Sequence, residues 1–156
     1  MAGKKRGRSS GRPSSRSSEE GASWSKAELG LRIRKSVPGK LFGFELDSIE
    51  RGSAVMTMQV RKRHKQVHGV VHGGILASLA DTAGALAAYP LLPRKTRLAT
   101  VEMKINYLEP VDRGKIVAEA SLLRLGRTLA VVECEIQDAA GTLAAKALIT
   151  YAISRA

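Results

Sequence analysis

Along most of the chain apolar and polar residues alternate with a period of two, and the pattern breaks once for a long apolar run. In "KLFGFELDSIE" the residues Phe42, Phe44 and Leu46 share one parity, which predicts a first strand. Arg51 and Gly52 turn the chain, and "SAVMTMQV" then places Met56, Met58 and Val60 on one face of a second strand, ended by the basic cluster Arg61 to Lys65. The run "VHGGILASLADTAGALAAYP" (Val71 to Pro90) breaks the alternation and predicts a helix over about 74–89, closed by Pro90 and Pro93. Beyond it the period of two returns in four segments. In "TVEMKINY" the residues Val101, Met103, Ile105 and Tyr107 alternate with Thr100, Glu102, Lys104 and Asn106, the pattern of a strand buried on one face. The turn "EPVDRG" leads to "KIVAEASLLRL", Gly126 and Arg127 lead to "TLAVVECEIQ", and "DAAG" leads to "TLAAKALITYAI". Before all of these, "KAELGLRIRK" (Lys26 to Lys35) reads equally as a short helix interrupted by Gly30 or as an irregular lead-in.

Short turns between successive strands imply antiparallel neighbours, so the expected class is α+β with an antiparallel sheet. The helix is apolar around its circumference, so the sheet should wrap it. A chain of 156 residues is one domain's worth, with a core that needs no staples.

Charge modifies this picture mainly at one end. The formal net charge is +12, and residues 1–18 alone hold six Lys or Arg and no acid. With no large aliphatic residue after Met1, they cannot form an amphipathic face, and we read 1–25 as a disordered basic tail, 26–37 as a lead-in and 38–156 as the domain. Nucleic-acid binding is expected only through that tail, for which a solubilising role is the simpler reading. The single cysteine, Cys134, allows no internal disulfide and suits a reducing compartment, hence the cytoplasm. It alternates with Val132 and Ile136 and reads as core. No uninterrupted apolar run reaches eighteen residues, so no membrane span is expected.

The candidate chemistry sits at the helix. Gly73 and Gly74 let a ligand approach the backbone, and their free N–H groups, at the positive end of the helix dipole, suit a carbonyl oxygen that gains negative charge. Asp81 is seven residues beyond Gly74, roughly 10 Å along the axis, too far to reach a group on its own helix's N-terminus. Either Asp81 is unrelated to that site, or a second chain's Asp81 completes it; we favour the second, which explains a carboxylate in an apolar helix. His64, His68 and His72 are spaced as helical metal ligands would be, but Gly69, Gly73 and Gly74 disfavour a helix there, and no metal site is expected. His64 and His68 read as loop residues and His72 as a structural hydrogen-bonder at the helix start. Ser78 lacks the flanking glycines of a nucleophile elbow and reads as packing.

Three segments in order, "QVHGVVHGGILASLAD" (Gln66 to Asp81), "TVEMKINYLEPV" (Thr100 to Val111) and "GRTLAVVECEIQDAAGTLAAKALITY" (Gly126 to Tyr151), resemble the hotdog-fold acyl-CoA thioesterases. The resemblance spans about residues 38–154 and is nearest to the phenylacetic-acid-degradation type, akin to 4-hydroxybenzoyl-CoA thioesterases. It implies a sheet wrapped around one long helix, protomers sharing a continuous sheet, and dimers that pair into tetramers. It also implies that the Gly73 N–H polarises the thioester carbonyl while His72 shapes the turn, and that the partner's Asp81 is nucleophile or general base. Gln66 would contact the thioester and Thr100 would position the water or the acid. Gly74 and Tyr107 would face the substrate, and Arg124, Gly126 and Arg127 would lie near the CoA phosphates, a role to which Arg61, Lys62, Arg63 and Lys65 are also suited. No cofactor is implied, because CoA is part of the substrate. Two rivals remain: a non-catalytic acyl-CoA sensor or carrier whose tail engages nucleic acid, and a dehydratase pairing His72 with Asp81.

Overall fold

The computed structural model describes residues 24–155; the rest of the basic tail lies outside them. Trp24 and Ser25, which the sequence reading places in the tail, are folded. Ser25 caps helix α1 (Lys26–Lys35) in a reciprocal capping box with Glu28, which resolves the ambiguous lead-in as a helix. The guanidinium groups of Arg32 and Arg94 both stand over the Trp24 ring, 4.7 and 5.0 Å from its centroid.

A short helix α2 (Val37–Phe42) follows, capped by Ser36, with Pro in its first turn and Gly43 at φ 71° ending it. Phe42 is therefore helical rather than the first residue of a strand. The expected alternation holds only from Phe44, and the Phe42 ring packs on Phe44 and His64. Strands β1 (Phe44–Glu50) and β2 (Ser53–Gln59) form a hairpin. Val60 falls just outside β2, because its N–H bonds to the Gly114 carbonyl in the neighbouring turn.

A 3₁₀ turn (Lys62–His64) leads to the long helix α3 (Gly73–Ala88), and then come β3 (Thr96–Tyr107), β4 (Lys115–Leu125), β5 (Leu129–Gln137) and β6 (Leu143–Arg155). The six strands are antiparallel in the order β1-β2-β4-β5-β6-β3. The sheet curls around α3, whose Leu79, Ala80, Ala83 and Ala87 are wholly buried against Met56, Ile116, Val132 and Ile149. Burial of this apolar surface is the main stabilising term for such a core. The continuous helical stretch Gly73–Leu91 is long and apolar enough to cross a bilayer by length and composition alone, but these buried residues make it the core of the sheet. One side of the helix, with Ser78, Asp81, Thr82 and Ala85, is only half-buried.

The strand that reads most regularly in sequence contains the main departure. In β3 the register against β6 shifts between Thr100 and Glu102, making Val101 a bulge residue. Thr96, Leu98 and Thr100 face the helix before the bulge, and Met103, Ile105 and Tyr107 face it afterwards, as their pairing with Arg155, Ile153, Tyr151, Ile149, Ala147 and Ala145 shows. Simple alternation would have buried Val101 and turned Thr100 outward; instead Val101 is 57% exposed.

Candidate active site

The tip of α3 is built by the side chains of His72 and Tyr107 and by a turn at Gln66. His72 is the N-cap residue, and its Nδ1 accepts the Gly74 N–H at 2.9 Å. The Gly74 amide is thus occupied, which corrects the expectation that both glycine amides are free. The Gly73 N–H, at the first helical position, meets no acceptor among the described residues. A side chain at Gly73 would also crowd Tyr107, because a Cβ there would lie 3.0 Å from its ring. The Tyr107 hydroxyl donates to the Gly73 carbonyl at 3.0 Å, tying the end of β3 to the start of the helix. Gln66 is brought in by a tight turn, in which its N–H bonds to Val70 O and its carbonyl takes the Gly69 N–H, with Gly69 at φ 82°. Gln66, Gly73 and Tyr107 then line one groove of about 390 Å³, with Val70, Leu76, Glu109 and Val111 among its other walls.

Asp81 does not line that groove. Its Oδ1 accepts the Thr100 hydroxyl at 2.6 Å, so the strand threonine does meet the acid. The Asp81 main-chain carbonyl accepts the Tyr151 hydroxyl at 2.7 Å, from below the helix. Ser78 donates to the Gly74 carbonyl and Thr82 to the Ser78 carbonyl, so both hydroxyls are spent on their own helix. Cys134 is fully buried, and burial together with Glu135 and Glu119 pushes its thiol up to about 12, which makes it inert core.

Arg124, Gly126 and Arg127 are exposed at the β4–β5 turn, where the Gly126 N–H bonds to the Leu129 carbonyl. Register places that turn at the Asp81 end of the sheet: Leu129 pairs with Ala152, which pairs with Ala99, whereas Tyr107 pairs with Ala145. Within one chain these three residues therefore do not join the Gly73 groove. His64 is not the loop residue expected. It is 1% exposed, its Nδ1 accepts the Arg61 N–H at 3.1 Å, and burial with the Arg63 and Arg61 charges lowers its pKa. Its carbonyl accepts the His72 N–H at 2.9 Å, so this turn braces the helix tip. No group of three or more His, Cys, Asp or Glu that could hold a metal ion occurs among the described residues.

Sequence reasoning missed Tyr151, Gly84 and Glu109. The first two carry a signal in retrospect: a tyrosine on the buried parity of a strand needs a hydroxyl partner, and a glycine inside a helix needs a reason for its missing side chain.

Residues 68–145 match the thioesterase superfamily. A protein named "Putative esterase SSO2140" from Saccharolobus solfataricus is 38% identical over 116 residues, 74% of this chain and 82% of that one. The 1,4-dihydroxy-2-naphthoyl-CoA hydrolase of Listeria monocytogenes is 27% identical over 113 residues, 72% of this chain and 92% of its own. Among solved structures, a mutant of the phenylacetic acid degradation protein PaaI from Thermus thermophilus superposes with a TM-score of 0.67 at 30% identity, covering 73% of this chain and 96% of that one. The helix wrapped by an antiparallel sheet is accordingly the hotdog fold, and the chain belongs to the thioesterase superfamily, as a hydrolase of thioesters.

Proposed function

We propose that the chain hydrolyses an acyl- or aroyl-CoA thioester to the free acid and CoA, in an active site shared between two copies of the chain. The Gly73 N–H polarises the thioester carbonyl, Gln66 contacts the thioester, and the acyl group enters the groove between them. Hydrogen-bond donors fixed where negative charge develops are the largest single contribution in such reactions. The partner's Asp81 acts as nucleophile or general base, with one carboxylate oxygen held by Thr100 and the other left for water or substrate. The aroyl class rests on the naphthoyl-CoA relative. CoA arrives with the substrate, so the reaction uses no further cofactor. The cytoplasm is the compartment that suits the free thiol of Cys134.

The observation that carries this reading is the division of the site: carbonyl donor and groove at the tip of α3, carboxylate roughly 10 Å along the axis and absent from the groove wall. Two features support a second copy. Strand β3, twelve residues long, lies at the edge of the sheet, and an edge of that length is a ready template for pairing. Arg124 and Arg127 stand at the Asp81 end, so a partner that lends its acid brings a basic turn with it.

The test has two parts. Purified protein is assayed for thiol release from a panel of acyl- and aroyl-CoA thioesters, and Asp81→Ala should lose orders of magnitude in rate while keeping its Tm. Inactive Asp81→Ala and inactive Gly73→Val are then mixed and reassociated. Random pairing into symmetric dimers restores about one quarter of the sites, so recovery towards that level supports sharing. Wild-type turnover in Asp81→Ala, or no recovery on mixing, defeats it.

A further inference from the structure

We infer that Tyr151, with Gly84 making room for it, is a positioning residue that fixes Asp81 for hydrolysis. The inference rests on the role proposed for Asp81 and adds to it the residue that sets where the carboxylate stands.

Thr100 and Tyr151 are direct cross-strand partners in the β3–β6 ladder, and both face α3. One rung of the sheet thus brings two hydroxyls to a single residue. Thr100 donates to the Asp81 carboxylate at 2.6 Å and Tyr151 donates to the Asp81 carbonyl at 2.7 Å. Tyr151 is 1% exposed, and its burial beside Asp81 keeps the phenol protonated and therefore a donor.

Gly84 shows that the helix is adapted to this hydroxyl. Its backbone is ordinary helix, so conformational freedom does not explain it, and glycine is a poor helix former. Space does explain it: a Cβ at position 84 would overlap the Tyr151 hydroxyl. The Val101 bulge completes the device, because without it Thr100 would face away from the helix. Asp81 is thereby referenced to β3, the edge at which the second copy is proposed to join, rather than only to its own helix.

The experiment compares Tyr151→Phe, Gly84→Ala and the double variant, each corrected for folded enzyme and assayed well below its Tm. Misplacing a reacting group by a fraction of an ångström to an ångström costs up to about 100-fold. Each single variant should therefore lose on the order of 10- to 100-fold in kcat with KM for the CoA thioester nearly unchanged. The double variant should be no slower than Tyr151→Phe, because without the hydroxyl a methyl group at position 84 meets only the Tyr151 Cζ position at 3.3 Å and Ile149 Cδ1 at 3.2 Å, tight contacts that small shifts of the two side chains relieve. A merely structural role would lower Tm in both singles, leave kcat per folded site intact and give additive losses; that outcome overturns the inference. Should Tyr151→Phe fail to fold, Gly84→Ala alone still decides by its kcat. Asp81→Ala separates the two proposals. An active Asp81→Ala refutes the role of Asp81, whereas an inactive one beside a fully active Tyr151→Phe refutes only the positioning.

Discussion

The two working regions of α3 are held in opposite ways. At its tip, local contacts dominate: His72 caps Gly74 two residues away, and the turn at Gln66 to Val70 closes on itself. Seven residues further on, nothing local holds Asp81. Its carboxylate and its carbonyl are gripped by Thr100 and Tyr151, 19 and 70 residues away in sequence. A donor that stabilises charge by a backbone N–H can be built by a turn, because the backbone goes where the turn puts it. A carboxylate that must act at a distance from its own turn has to be aligned by the sheet. Apart from the one tie from Tyr107 to the Gly73 carbonyl, the tip should therefore tolerate changes in the sheet, and the middle should not.

The sharpest way to break that contrast is at Thr100. Valine has nearly the same shape but no hydroxyl, so Thr100→Val removes one hydrogen bond to a charged oxygen and leaves the strand intact. Such bonds contribute about 1.5–3 kcal/mol, and kcat should fall roughly 10- to 100-fold with Tm close to wild type. Thr100 is exposed and Asp81 only half-buried, so water has access to the bond, which favours the lower end of that range. Full kcat in Thr100→Val, measured by thiol release, would mean that the sheet does not align the acid.

This difference also explains what was legible in the sequence. The tip is a contiguous motif, and "VHGG" with the apolar run behind it gives the helix start, Gly73 and the turn from the chain alone. The six strands and the buried helix follow from periodicity. The grip on Asp81 was not legible in the periodicity, although the family resemblance implied the Thr100 half of it, because it depends on a one-residue bulge. Val101 is apolar and sits on the parity of Met103 and Ile105, so a regular strand places Thr100 on the wrong face. Only the pairing with β6 shows the shift. The occupied Gly74 amide was missed for a different reason: histidine at an N-cap is less familiar than Ser, Thr, Asp or Asn, and here its ring nitrogen serves as the acceptor.

At the tip the expected effect is smaller and falls on stability. Removing an N-cap acceptor costs about 1 kcal/mol, so His72→Ala should lower the unfolding free energy by about that amount in denaturant melts. His72→Asn, which restores a side-chain acceptor, should recover most of it. If His72→Ala leaves stability unchanged, the Gly74 bond contributes nothing and the tip is held by the Tyr107 and His64 contacts instead.

The smallest effect, and the most selective, concerns the brace behind the tip. His64 is buried, its Nδ1 already accepts the Arg61 N–H, and Arg61 and Arg63 stand beside it. Burial first, and then these charges, lower its pKa below the ordinary 6.5. A histidine with a lowered folded-state pKa binds its proton more readily when unfolded. Its contribution to stability is therefore fully present above pH 6.5 and is lost as the pH falls from there towards the lower folded value. Because the His64 carbonyl holds the His72 N–H, protonation should loosen the tip before it touches the sheet. Melts from pH 7.5 down to about pH 5 should show a Tm decline that His64→Asn, an acceptor that does not titrate, flattens. Hydrogen exchange over the same range should quicken first at the His72 and Gly74 amides and leave β6 protected. Exchange that quickens in β6 at the same pH as at the tip would show that the two regions of the helix are held as one unit after all.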